Sequence, residues 1–130
     1  MTNPNVVSVA DIRGGNAGFN LSATLTDTLI TVASDKLVKI NSIICANVDG
    51  TNAANLDLFV DGMGSGTTGV TTTGADATVY LANTVSVPAN GTLVILDTPI
   101  YLMEGDVLKG GASVAGDLDL FVSFDVIDDA

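Results

Sequence analysis

At 130 residues, with 47% hydrophobic and 15% charged residues, the chain fits one domain with a buried core, and disorder is excluded because so apolar a chain offsets its ordering entropy by burial. The formal charge of -11 comes from fourteen Asp and one Glu against four basic residues; such a surface repels phosphate backbones and anionic headgroups, so direct nucleic-acid or membrane binding is not expected. With no His, one Cys and no Trp, a nucleophile lacks its usual activator, and neither enzymatic activity nor a cofactor is expected.

Residues 1–17 carry weak periodicity and end in Arg13-Gly-Gly-Asn-Ala17, which reads as an N-terminal arm or edge strand followed by a mobile turn. Val6, Val7, Val9 and Ile12 form an apolar group too short to make its own core, so they are candidate contacts to a neighbouring subunit. The Gly-Gly pair behind them would act as a hinge for an arm; a terminal strand folded back on its own sheet edge is the equal alternative.

Residues 18–130 are assigned to a β-sandwich domain. Turn signals cut this region into candidate strands over 19–25, 28–33, 36–48, 55–61, 77–87, 92–97, 99–103, 106–112 and 117–127. Asp49-Gly50, Asp61-Gly62, Asn90-Gly91 and Glu104-Gly105 supply residues that tolerate the left-handed backbone of tight turns. Within 36–48, Val38, Ile40, Ile44 and Val48 share one parity, and Ile43 breaks the division, which suggests a strand partly covered on both faces. Cys45 lies in this strand and reads as a small buried hydrophobe. In 77–87, Val79, Leu81, Val85 and Val87 alternate inward against Thr78, Thr84 and Ser86, and Pro88 ends the run because proline cannot donate to a ladder. The clearest alternation lies in 117–127, where Leu118, Leu120, Val122, Phe124 and Val126 oppose Asp117, Asp119, Ser123 and Asp125. No window longer than ten residues holds a helical period. The expected fold is all-β, a single antiparallel β-sandwich of jelly-roll type.

The motifs offer little chemistry. Residues 62–74 hold five Gly and five Thr and read as a mobile surface loop, with Thr67, Thr68 and Val70 as candidate partner contacts on the alternative reading. Gly64-Ser-Gly-Thr-Thr-Gly69 matches a dinucleotide fingerprint, but no helix opens after it, so no phosphate cradle is expected. The pairs Asp57/Asp61 and Asp117/Asp119 place carboxylates where oxygens can converge on Ca²⁺; a solvated, charge-protected sheet face is the simpler reading, and no metal ligands are assigned.

Four segments carry a family resemblance: Lys39-Ile-Asn-Ser-Ile-Ile-Cys-Ala-Asn-Val-Asp-Gly-Thr-Asn52, Val85-Ser-Val-Pro-Ala-Asn-Gly-Thr-Leu-Val94, Pro99-Ile-Tyr-Leu-Met-Glu-Gly-Asp-Val-Leu108, and Ala115-Gly-Asp-Leu-Asp119 continued through Ser123. In order and spacing they resemble small virion structural proteins of tailed bacteriophages, notably phages of marine cyanobacteria, over residues 36–127. The resemblance implies a non-enzymatic all-β subunit, made in the host cytoplasm and placed in the virion, that decorates or cements the capsid. Its implied partners are the major capsid protein or another virion protein and further copies of itself, a trimer being favoured. A neck, tail or fibre protein is the alternative within that class; a host-surface carbohydrate-binding module is the alternative outside it.

Overall fold

A computed structural model describes residues 9–62 and 78–129. These form nine strands: β1 (Val9–Asn20), β2 (Asp27–Thr31), β3 (Lys36–Asn47), β4 (Ala54–Asp61), β5 (Thr78–Val87), β6 (Thr92–Leu96), β7 (Ile100–Leu102), β8 (Val107–Ala112) and β9 (Leu118–Asp129). One sheet runs β1-β9-β3-β6, with β7 also on β3, and the other runs β2-β8-β4-β5. Every pairing is antiparallel. When β6 and β7 are counted as one interrupted strand, since both lie along β3, the orders become 1-8-3-6 and 2-7-4-5. That wiring is the jelly roll, two sheets built from interlocked Greek keys.

The core lies between the sheets. Leu118, Leu120 and Val122 of β9 and Ile40, Ile43 and Cys45 of β3 face Leu56, Leu58 and Val60 of β4 and Leu108 of β8, each at most 1% exposed. Burying one such aliphatic side chain is worth about 1.5–3 kcal/mol, so this double layer holds the fold.

The Ile43 irregularity has a different cause from the one the sequence suggests. On β9, Ile40 faces Phe124 and Ser42 faces Ser123, so Asn41 is an extra residue, a β-bulge. The bulge resets the parity: Val38 and Ile40 point inward before it, Ile43, Cys45 and Asn47 after it, while Ile44 and Val48 turn to solvent at 37% and 55% exposure. Buried Asn47 is satisfied, donating through Nδ2 to the carbonyls of Asn52 and Val87 and accepting from the Asp49 N–H. In β5 the ladder shifts twice opposite Leu56–Phe59, so Ala82, opposite Leu58, takes the core-facing place that the simple alternation gave to Leu81. Thr84 at this irregularity has φ 53°, and the Asp57 carboxylate holds it by accepting its N–H at 2.6 Å.

The chain start also departs from expectation. Residues 19–25 do not form a strand; β1 instead runs unbroken from Val9 to Asn20 along β9, straight through Gly14 and Gly15. Arg13–Ala17 is therefore neither a turn nor a hinge. Gly15 faces Phe124, and a Cβ placed on it would lie 2.9 Å from the ring, so the phenyl group fills the space that a larger residue would need. At the turns, Gly62, Gly105 and Asn90 have positive φ, at three of the four expected sites.

Candidate functional site

The feature that the fold leaves unexplained is apolar and lies on the outer face of the β1-β9-β3-β6 sheet. There the register aligns Gly18 of β1, Phe121 of β9, Ile44 of β3 and Val94 of β6 in one row across four strands. Phe121 is 44% and Val94 62% exposed. The next row holds Asn20, Asp119, Ala46 and Thr92. Between these rows a cleft of about 340 Å³ opens, with Gly18, Asn20, Ile44, Ala46, Asp119 and Phe121 around it. Each wall has a local cause. The Asn41 bulge turns Ile44 outward, and the strict alternation of β9 sets Phe121 and Asp119 opposite the core-facing Leu120.

Charge near the cleft is negative. Asp119 Oδ1 accepts from Asn20 Nδ2 at 2.7 Å, a neutral donor that fixes the carboxylate without cancelling it. Beyond it, partial burial and then the neighbouring Asp49 carboxylate push the Asp117 carboxyl above its ordinary range. The cations of this sheet belong to its other end: Arg13, Lys36 and Lys39 stand opposite Val126, Asp128 and Asp125. Arg13 pairs with Asp11 and Lys36 with Asp128, both at 2.6 Å.

On the outer face of the second sheet Tyr80, 50% exposed, stands opposite Phe59. Phe59 is 5% exposed and its ring lies 5.0 Å from that of Tyr80. Asp61 is drawn below the ordinary carboxylate range, first by the Thr78 hydroxyl and then by Lys109 at 3.1 Å. Both of its oxygens, and Oδ1 of Asp57, thus already accept from protein donors. No group of three His, Cys, Asp or Glu able to hold a metal ion occurs among the described residues. Cys45 is fully buried, and burial, with the nearby Asp119 charge, pushes its thiol up to about 11.

Of the residues expected to touch partners, Val9 opens β1 opposite Asp129. Ile12 pairs with Ile127 and stands 63% exposed on the outer face of the same sheet as the cleft. Val6, Val7, Thr67, Thr68 and Val70 lie outside the described residues, as does the Gly64–Gly69 motif. The structure does not join Ile12 to the cleft row: five residues of β1 lie between it and Gly18. Sequence reasoning missed Phe121, Ile44, Val94 and Gly18. A signal existed for Phe121, a large aromatic on the Asp/Ser parity of β9; none existed for Ile44, whose facing depends on the bulge.

No protein-family model matches the chain, and no curated protein matches it. A solved structure does: the core of Drosophila NLP, at 14% identity and a TM-score of 0.50, covering 91% of this chain and all of that one. That crystal structure is described as providing insight into pentamer formation and histone binding. At this identity the likeness speaks for the fold alone.

Proposed function

We propose that the protein is a non-enzymatic structural subunit of a tailed-phage virion that binds the outer capsid surface as a decoration or cement protein and associates with copies of itself. The observation that carries this reading is the apolar row Phe121, Ile44 and Val94, standing in solvent on a rigid sheet. Exposed large side chains gathered in a row mark contact surfaces, whereas scattered ones need no explanation. The segments that resemble phage virion proteins supply Ile44, Ala46, Val94, Asp119 and Phe121, so the resemblance and the row coincide. A trimer remains the favoured copy number for this chain.

The test has two parts. Native mass spectrometry of the purified protein should show a closed oligomer. Recombinant protein mixed with phage particles that lack it should co-sediment and give added density on the capsid exterior. Density confined to neck, tail or fibres would move the assignment there, and a monomer that binds glycans but no particle would replace it with the carbohydrate-binding alternative.

A further inference from the structure

We infer that the cleft between Phe121 and Ile44 is a docking site for a polypeptide segment that presents one bulky apolar side chain flanked by Lys or Arg. The inference rests on the proposed role as an assembly subunit only for where such a segment would come from. The apolar part follows from geometry. Gly18 lies beside Phe121 in the register, and a Cβ on Gly18 would meet nothing within 4 Å, so an open slot adjoins the exposed ring. Ile44 and Ala46 close its other side. The volume, about 340 Å³, sits at the small end of the range for ligand pockets, roughly 300–1,000 Å³, and suits one large side chain and its neighbours.

Charge complementarity selects the flanks. Asp119 lies in the wall and Asp117 and Asp49 lie beyond it. The nearest cation along β3, Lys39, pairs in register with Asp125, four residues along β9 from Phe121. That is roughly 13 Å at strand rise, farther than the screening length of about 8 Å at physiological salt, so Lys39 does not neutralise the cleft. A second copy docked face to face would bring Asp119, Asp117 and Asp49 against their equivalents, and like charges at close range oppose that pairing. A segment with cations on both sides of its anchor meets the same carboxylates favourably.

The probe is a fluorescein-labelled synthetic peptide with Leu between Lys residues, compared with one carrying Glu for Lys and one carrying Ala for Leu. Amide shifts in ¹⁵N spectra of the full chain should change at Gly18, Ala46 and Phe121 with the Lys-Leu peptide alone. Ile44→Ser and Asp119→Asn should each weaken binding, the former by roughly tenfold as expected for an anchor contact. Gly18→Leu, which fills the slot from within where there is room, should block binding while leaving the thermal midpoint near that of the wild type; it serves if Ile44→Ser unfolds. Tyr80→Ser, on the other sheet, should change nothing. Equal binding of the Lys and Glu peptides, shifts outside the cleft, or a Gly18→Leu protein that binds normally would overturn the inference. Binding at the cleft by a protein that ignores phage particles would support the docking site and overturn the virion role, so the two claims fail separately.

Discussion

Ile43 and Ile44 are consecutive and chemically identical, and the Asn41 bulge gives them opposite fates, 0% against 37% exposure. Truncating each to Ala measures that difference directly. Ile43→Ala removes three methyl or methylene groups from a site enclosed by β9 and the facing sheet, where lost transfer energy and the residual cavity together cost about 2–5 kcal/mol. Ile44→Ala removes the same atoms from a half-open surface and should cost about 1 kcal/mol or less. Since a domain of this kind is stable by roughly 5–15 kcal/mol, both variants should fold. Urea unfolding followed by far-UV circular dichroism reads the gap: with slopes of about 1–3 kcal/mol per molar, the Ile43→Ala midpoint should fall by on the order of 1 M more than that of Ile44→Ala. Equal shifts, or a larger one for Ile44→Ala, would refute the bulge and with it the outward placement of Ile44 on which the cleft depends.

Leu120→Asp should abolish soluble expression, because Leu120 is 1% exposed and an unpaired buried carboxylate costs several kcal/mol, whereas Asp119→Asn on the opposite face should be nearly silent for folding; comparing soluble yields checks this, and equal yields would contradict the facing. Stability should rise as pH falls from 7 towards 4: burial raises the Asp106 carboxyl above 3.8, so the folded state takes up protons first in the interval above that value, and relief of the -11 net charge acts in the same direction. Below 3.8 the sign reverses as Asp61, lowered by Thr78 and Lys109, loses the contribution it makes when ionised; urea midpoints at pH 7, 5 and 3 test the order, and a steady decline from pH 7 would contradict it. Cys45, fully buried with its thiol raised to about 11, should resist a disulfide reagent at pH 8 until urea unfolds the chain, and rapid labelling of the native protein would show that β3 opens locally. Thr84→Gly should stabilise by about 1 kcal/mol, because it relieves a β-branched residue held at φ 53°; a loss in thermal midpoint would show that the Asp57 and packing contacts of Thr84 outweigh the strain.

The parts of the fold that were legible in the sequence are those in which one residue's facing follows from its neighbour's. β9 keeps strict alternation over its buried part, so Leu118, Leu120 and Val122 could be placed in the core from parity alone. Turn chemistry marked most strand ends, and Val87 does close β5 just before Pro88. Legibility failed where a partner strand supplies the reason for the local structure. Gly14, Gly15, Ala17 and Gly18 have no strand propensity to speak of, yet β9 pairs with them residue for residue and Phe124 covers Gly15. The bulges in β3 and β5 failed for the same reason, since an unpaired extra residue exists only relative to the strand beside it. The cleft inherits both gaps. It needs Gly18 in a strand and Ile44 turned outward, and neither is written in local periodicity.

The pairing of β1 with β9 sets Val9 opposite Asp129 at one end of the sheet and Asn20 opposite Asp119 at the other. Val9 and Asp129, the outermost described residues, therefore lie at one shared corner of the sandwich. That corner stands about nine strand residues, roughly 30 Å, from the row that holds Phe121. A tag anchored at Asp129 would sit at the far end of the strands from Phe121 and Ile44. Oriented immobilisation through such a tag would leave Phe121 and Ile44 presented to the solution.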